Sequence, residues 1–434
     1  MICAMLDQIP DQMRQTPKPT TSLDLFCGAG GLTLGLQQSG VACAAACDSW
    51  KPAADTFKLN FPGTAFLQAD LSSATAHDLM RAAGLRERPT IVAGGPPCQG
   101  FSSAGRRNAK DPRNTLVAAF ARVVADLSPE FLLFENVEGF LTLADGDAVV
   151  SLLDPLVEAG YSVHLRKVNA ANFGVPQHRK RVVAIGSRTS EPFFPSPTHT
   201  AYGAPGAMLA GSTLPPTPTL AEALEGLPPP SRARPHASIQ DHILRSLRNG
   251  DTERAELLQP GQRMRDLPSN LQHSSYQRRA FRRVMDGTPS EKRGGAPAGL
   301  RRLRGDEPSK AITSAAISEF LNPFEDRYLT VRECARLQTF PDAFRFAGTL
   351  SEKATLIGNA VPPRLAHALA NSIVHSLTSA PLKTTSSGRL LSFVPTLSSG
   401  MSPALQNVML RVRRRYLHER NEPEGAYAQL AFDA

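Results

Sequence analysis

The segment Gly94-Gly95-Pro96-Pro97-Cys98-Gln99-Gly100-Phe101-Ser102 sets one thiol in a loop. Its paired prolines fix the chain's approach and remove two backbone donors, while glycines at 94, 95 and 100 leave flexible points on either side. A free cysteine is most often an inert core residue. Apolar helix neighbours would favour that reading of Cys98; a Pro/Gly loop argues for a reactive nucleophile. Two further groups stand at comparable places. Glu135 follows the apolar run Phe131–Phe134, and Arg179 and Arg181 close the run Asn172-Phe173-Gly174-Val175-Pro176-Gln177-His178-Arg179-Lys180-Arg181. Strand alternation sends the two arginines to one face, either into a site or onto a solvated basic edge. A thiol, a carboxyl group and a guanidinium are the parts of covalent catalysis assisted by proton donation.

A second set of residues suits a ligand rather than a reaction. The run Asp24-Leu25-Phe26-Cys27-Gly28-Ala29-Gly30-Gly31 links a candidate strand to a helix, and its glycines permit positive φ and close approach of a ligand to the backbone. It is not the full dinucleotide fingerprint, and such a loop alone is a weak signal. Asp48, however, ends the next strand 17 residues after Gly31, near the spacing of about 20 at which an acid reads a ribose. Asp70 falls just after the third strand. A glycine loop and two carboxylates at successive strand ends suit an adenosine, without choosing among nicotinamide, flavin and S-adenosylmethionine. Trp50 either flanks the adenine or belongs to the core.

Behind these residues lies a regular alternation. Strands are expected at Ser22–Phe26, Val41–Cys47, Thr64–Gln68, Thr90–Ala93 and Phe131–Phe134, with a closing pair at Ser162–Val168 and Arg181–Ile185. Helices are expected at Gly31–Ser39, Lys51–Asn60, Ala74–Ala83, Asn114–Leu127 and Ala148–Ala159. The pattern predicts an α/β fold, a doubly wound Rossmann-like sheet with ligands at the carboxyl ends of its strands. The rhythm breaks after Gly186: Ser190–Pro230 reads as a long Pro/Thr/Ser-rich connection, and helices return at Leu329–Gln338 and Pro363–Ser376. The expected division is a catalytic domain over 20–188, a linker and smaller basic domain inserted over 189–326, a return over 327–378, and a tail over 379–434. The tail ends in the Arg-rich amphipathic stretch Val408–Glu419 and carries no assigned role.

Composition narrows the class. Of 434 residues, 41% are hydrophobic and 20% charged, as in globular rather than disordered chains. No apolar run is long enough for a membrane span, and no secretory signal opens the chain, so a cytoplasmic location and no membrane partner are expected. Six cysteines are too sparse for a disulfide framework, and Cys43 and Cys47 lack a matching pair for zinc, so no metal is expected. The net charge is +9, and 232–304, with 16 Lys+Arg against 7 Asp+Glu, accounts for all of it. An excess confined to one segment points to a polyanion-binding face more than to a solvated surface.

One reaction uses all of these parts. Carbon 5 of cytosine is a poor nucleophile until a thiolate adds to carbon 6 and makes it enamine-like. The step needs a partner at N3, a donor at O2 and later a base for the carbon-5 proton. Cys98, Glu135 and Arg179 match the nucleophile and the two partners. The base must leave the duplex, which calls for a closing element; the loop after Cys98 is the candidate.

The ordered series of motifs resembles the DNA (cytosine-5)-methyltransferases of bacterial type over most of residues 22–376. It comprises Asp24–Gly31, Asp48, Asp70, Gly94–Ser102, Asp111-Pro112-Arg113-Asn114, Glu135-Asn136-Val137 and Gln177 with Arg179 and Arg181. It resumes in Arg327-Tyr328-Leu329-Thr330-Val331-Arg332-Glu333, Arg336–Pro341 and Gly358-Asn359-Ala360-Val361-Pro362. The resemblance implies an S-adenosylmethionine site formed by Phe26, Gly28, Gly30, Gly31, Asp48, Asp70, Asn359 and Val361. It implies catalysis by Cys98, Glu135, Arg179 and Arg181, and a target-recognition domain inside the basic interval. Gln99, Ser102, Arg106, Arg278, Arg279, Arg282 and Arg283 are its candidate DNA contacts. It further implies that Arg332 and Glu333 hold that domain to the core, and that the last helix packs beside the first. Double-stranded DNA is the expected partner of a monomer, with a cognate restriction endonuclease as a functional counterpart. Asp48 stands where a longer Glu is frequent, and Asn322-Pro323 where His-Pro is common. Two rival readings keep the same core: a tRNA cytosine-5 methyltransferase, and a catalytically inactive DNA-binding regulator. A Cys98–His178 hydrolase leaves the strand-end acids and the basic segment unexplained.

Overall fold

The computed structural model describes residues 19–97, 115–202, 212–232, 239–274, 276–277, 299–379, 388–397 and 400–417. Its first half alternates β1 (Thr21–Leu25), α1 (Gly31–Gln38), β2 (Ala42–Cys47), α2 (Lys51–Asn60), β3 (Ala65–Leu67), α3 (Ala76–Ala82), β4 (Ile91–Gly94), α4 (Thr115–Leu127) and β5 (Phe131–Val137). A 3-10 segment, Glu138–Gly146, leads into α5 (Asp147–Glu158), β6 (Ser162–Asn169), β7 (Gln177–His178) and β8 (Lys180–Ser187). Eight strands form one sheet in the order β12-β6-β8-β5-β4-β1-β2-β3, where β12 is Arg389–Val394. Strand β8 runs antiparallel to both neighbours, and every other pairing is parallel.

Helices cover both faces, so the central strands read as continuous apolar runs: Ile91–Gly94 is buried throughout, as are the first six residues of β5. The sheet expected from sequence is therefore present. The closing pair at β6 and β8 is a true antiparallel ribbon. β5 extends three residues past the expected end, which places Glu135 within the ladder rather than after it.

The remaining elements are short: α6 (Leu220–Leu224), α7 (Asp251–Leu257), β9 (Arg301–Arg302), β10 (Ser309–Lys310), α8 (Ala316–Glu319) and β11 (Phe320–Leu321). They are followed by α9 (Val331–Leu337), α10 (Leu350–Asn359), α11 (Pro363–Leu377) and α12 (Pro403–Tyr416). In the inserted interval, Ala255, Leu258, Met264, Leu267, Leu300, Leu321 and Tyr328 form a separate small core. Arg332 fastens this unit to the rest, its guanidinium donating to the carbonyls of Gln240 (3.0 Å), Pro341 (3.1 Å) and Phe344 (2.7 Å). Glu333 accepts two hydrogen bonds from Arg327 at 2.8 and 2.9 Å. Asn322 takes the turn before it: Oδ1 accepts from the backbone of Phe324 and Glu325 at 2.8 and 3.2 Å.

The described residues of the segment expected as a tail of unassigned role, 379–434, form a strand and a helix. β12 adds in parallel to β6 and becomes the sheet's edge, and α12 buries Val408, Met409 and Val412 against the 3-10 segment and α5. The strand was hidden in sequence by its short, imperfect alternation, Arg-Leu-Leu-Ser-Phe-Val. Among the described residues no helix is long and apolar enough to cross a membrane.

Helix α11 lies along α1, as the resemblance implied, and the contact depends on Gly35. A Cβ there would stand 2.4 Å from the Ala366 Cβ and 2.6 Å from the His367 nitrogen. Gly35→Ala in an open helix would stabilise by roughly 1 kcal/mol; here overpacking reverses the sign. The expected outcome is a loss of about 1–3 kcal/mol, read as a lower urea midpoint at unchanged slope. An unchanged or raised midpoint would mean that the helices do not meet at Gly35.

Candidate functional site

The glycine loop after β1 is built by its own backbone. Phe26, Gly28 and Gly30 all take left-handed conformations, at φ 58°, 54° and 88°. At Gly30 a Cβ would lie 2.5 Å from the Phe61 ring, and at Gly31 it would lie 2.2 Å from the Val361 carbonyl oxygen. Gly31 therefore lets the chain at Val361 close onto the loop, so the end of the glycine run meets the last residue of the expected cofactor series. Over Gly28, by contrast, a Cβ would meet nothing within 4 Å.

Asp48 stands at the end of β2 facing this loop. Its Oδ2 accepts from the Gly28 N–H at 2.9 Å and its Oδ1 from the Trp50 N–H at 2.9 Å. Burial nonetheless raises the carboxyl pKa above its ordinary value. Asp70 is exposed after β3 and accepts from the Ser72 N–H at 2.9 Å, which lowers its pKa. Asn359 is exposed where α10 ends, while Val361 is buried. Trp50 is partly buried against the apolar cluster around Phe57 and Phe61.

Behind the loop, Asp24 is fully buried and accepts from the Thr33 hydroxyl at 2.5 Å, while its Oδ1 has no hydrogen-bond partner. Burial pushes its pKa up to about 7. In sequence Asp24 is only the first residue of the loop motif; its inward direction follows from the register of β1.

At the end of β4 the chain turns through Gly94, Gly95, Pro96 and Pro97 toward Cys98. Cys98, Gln99, Ser102 and Arg106 lie outside the described residues, as do Arg278, Arg279, Arg282 and Arg283. The approach to the thiol is nevertheless held. The Asn136 amide donates to the Pro96 carbonyl at 3.2 Å, and its Oδ1 accepts from the Val137 N–H at 2.8 Å. Glu135, buried at the end of β5, points at the same turn: a Cβ on Gly95 would stand 3.2 Å from its Oε2.

Arg181, opposite Val137 in the β5–β8 ladder, forms an ion pair with Glu135, Nε to Oε1 2.7 Å. Glu135 is buried and Arg181 partly buried, and a buried carboxylate needs such a partner.

Arg179 goes elsewhere. It falls in the break between β7 and β8, so the expected alternation does not carry it to the face of Arg181. Its guanidinium donates to the carbonyls of Ile312 (2.8 Å), Gly358 (2.8 Å) and Ala360 (3.0 Å). Beside it Gln177 donates to the Leu337 carbonyl at 2.7 Å and to Gln338 Oε1 at 2.8 Å, and accepts from the Ile312 N–H at 2.9 Å. His178 Nε2 lies 2.7 Å from the Tyr202 carbonyl oxygen. No group of three metal-ligating side chains occurs among the described residues.

A seven-parallel-strand plan interrupted by one antiparallel strand, with a glycine loop and acids at the carboxyl ends, defines a methyltransferase-type α/β fold. The family model for C-5 cytosine-specific DNA methylases matches residues 20–375. The chain is 34% identical over 358 residues to the type II methyltransferase M1.HphI of Haemophilus parahaemolyticus, covering 82% of this chain and 86% of that one. With M.Eco47II of Escherichia coli it shares 32% identity over 376 residues, covering 85% and 82%. Among solved structures, one described as a prophage-encoded DNA modification methyltransferase from E. coli superposes with a TM-score of 0.60 at 24% identity, covering 83% of this chain and 99% of that one. The chain belongs to the C-5 cytosine-specific DNA methylase family, and its activity is methyl transfer to carbon 5 of cytosine in DNA.

The Asp24 carboxyl has a testable signature. Its folded pKa of about 7 lies above the unfolded value of 3.8, so the folded state holds the proton longer. The resulting stabilisation is complete below pH 4 and lost as pH rises through 7. Asp24→Asn removes that loss, so the variant should gain on the wild type in urea melts at pH 8 and show little gain at pH 4. An advantage independent of pH would contradict a raised Asp24 pKa.

Proposed function

We propose that Cys98 is the nucleophile of this reaction and that Glu135 and Arg181 are the groups that hold the cytosine ring. The observation that carries the reading is the buried Glu135–Arg181 pair set directly against the Gly95–Pro96 turn that leads to Cys98. In this assignment the Cys98 thiolate adds to carbon 6 while the Glu135 carboxyl group partners N3, so that the electron pair arriving in the ring reaches carbon 5. Carbon 5 then takes the methyl group; a base removes the carbon-5 proton, and the C–H electron pair re-forms the 5,6 double bond and expels the Cys98 thiolate from carbon 6. Arg181, already oriented by Glu135, donates to O2. That role was expected of Arg179, whose two terminal nitrogens are instead occupied by three backbone carbonyls. Arg179 acts by fixing the turn Gly358–Ala360 next to Val361.

S-adenosylmethionine, when bound, supplies the electrophilic methyl group. The open space over Gly28, the strand-end carboxylates Asp48 and Asp70, and the exposed Asn359 fit an adenosine with a charged amino-acid end. Phe26, Gly28, Gly30, Gly31 and Val361 give the loop its shape. Asp48 differs from the expectation in one respect, because its carboxylate also braces the loop through Gly28. The basic interval 232–304 reads duplex DNA, with Arg278, Arg279, Arg282 and Arg283 as base or phosphate contacts and Gln99, Ser102 and Arg106 on the loop that closes over the flipped base. The enzyme acts as a monomer in the cytoplasm, as the modification partner of a restriction endonuclease or alone.

A duplex carrying 5-fluorocytosine at the target keeps its fluorine at carbon 5, so the covalent complex cannot resolve. The wild type should trap such a duplex in a band stable to denaturant, and Cys98→Ala should not. Trapping by Cys98→Ala would remove the nucleophile assignment, and methyl transfer to tRNA but not duplex DNA would remove the DNA reading. Glu135→Gln should slow transfer by roughly 10²-fold or more while duplex affinity holds; a wild-type rate would remove Glu135 from the chemistry.

A further inference from the structure

The chain leaving Glu135 contains three successive left-handed residues. Within the 3-10 segment, Leu143 is extended, and Ala144, Asp145 and Gly146 then take left-handed conformations in succession, at φ 41°, 53° and 91°. Glycine accepts this freely; alanine does not, and aspartate does so with strain. Such a run persists only where its surroundings hold it.

The surroundings come from α12. Arg411 reaches back to donate to the Asp145 carbonyl at 3.0 Å and to the Asp147 carboxylate at 2.6 Å. Val408 closes over Gly146, where a Cβ would lie 3.2 Å from both Val408 methyls. One turn further on, Arg415 and the Tyr416 hydroxyl both bond Asp154 of α5, at 2.7 and 2.6 Å. This helix lies outside residues 20–375, the part matched by the family.

The other end of the segment is tied to the chemistry. Glu138 pairs with the buried Lys167 of β6, and the Phe140 ring packs on Phe134 at 5.3 Å between centroids. Immediately before it come Val137, Asn136, whose amide holds the Pro96 carbonyl, and Glu135. Fixing both ends of 138–146 thus fixes the exit of β5, and with it the carboxylate and the turn before the thiol.

We propose that α12 is a clasp that positions Glu135, with Arg411 as its principal positioning residue, acting by holding Ala144 and Asp145 in the left-handed conformation. The inference rests on the assignment of Glu135 above. A residue that acts this way becomes dispensable when the strained positions are given side chains that accept positive φ, Gly at 144 and Asn at 145. A residue that merely joins α12 to α5 does not.

The test compares wild type, Arg411→Ala, Ala144→Gly/Asp145→Asn and the three substitutions combined, by single-turnover methyl transfer and by duplex affinity. Arg411→Ala should slow transfer about tenfold, the scale of a small displacement of a catalytic group, at unchanged duplex affinity. The double variant should transfer at the wild-type rate, and the combined variant should recover most of what Arg411→Ala loses. A wild-type rate in Arg411→Ala, or a combined variant as slow as Arg411→Ala, would overturn the clasp. Should Arg411→Ala fail to accumulate folded, Arg411→Lys keeps the charge opposite Asp147 without the fork that also reaches Asp145, and is scored by the same criteria. The Glu135 assignment fails by a different result, a wild-type rate in Glu135→Gln.

Discussion

A cation buried without a carboxylate partner has to be solvated by the backbone, and at Arg179 that requirement shapes the whole enzyme. Taking a guanidinium out of water costs several kcal/mol, and three carbonyls provide its compensation. Two of them, Gly358 and Ala360, lie where α10 ends, at the negative end of the helix dipole. The third, Ile312, belongs to the chain returning from the inserted domain. Gln177 and Gln338 extend the network to Leu337 and Ile357, at 2.7 and 2.5 Å. The strand that supplies Arg181 is thereby joined to the turn carrying Asn359 and Val361. It is joined as well to the chain that returns from the inserted interval.

That arrangement separates two arginines that are two residues apart. The break between β7 and β8 frees Arg179 from strand alternation and leaves Arg181 in the ladder opposite Val137. Arg181 then meets Glu135, whose neighbour Asn136 holds Pro96. Three strand ends, β4, β5 and β8, so carry the thiol approach, the carboxyl group and the guanidinium, each linked to the next by a side chain rather than by chance proximity. The glycine loop and Asp48 occupy the adjacent ends of β1 and β2, so all of these groups lie along one edge of the sheet.

Much of this was legible in the residues. The central strands announce themselves as apolar runs because helices cover both faces, and the helices α1, α2 and α4 follow from amphipathic spacing. Glu135 and the glycine loop were readable because chemistry gathers at strand ends. What was not legible depends on distant partners. Nothing local to Arg179 distinguishes it from Arg181; only the carbonyls of Ile312, Gly358 and Ala360 do. Asp24 gives no sign of facing inward until the register of β1 is known. Helix α10 carried a local signal, the reciprocal cap of Thr349 and Glu352 at 2.7 Å, which periodicity alone does not reveal. β12 is unreadable in principle as an edge strand, since its pairing partner β6 lies more than 200 residues earlier.

The edge strand lies beyond residues 20–375, the part matched by the family, and has a physical consequence for the sheet. In the sheet order β6 would otherwise be terminal, presenting a long row of unpaired donors and acceptors, and an open edge invites pairing with another chain. β12 covers it in parallel register, and a parallel strand must be followed by chain that leaves from the opposite end of the sheet, the carboxyl end. That exit is where Glu135 lies. The helix that follows therefore has the ends of β5 and the start of α5 within reach, and burying Val408 and Val412 there contributes about 1.5–3 kcal/mol for each fully buried side chain. Exposed ion pairs such as Arg415–Asp154 add little on that scale; they select where on α5 the helix settles. Protection of one edge and support of the catalytic strand are thus consequences of a single topological choice.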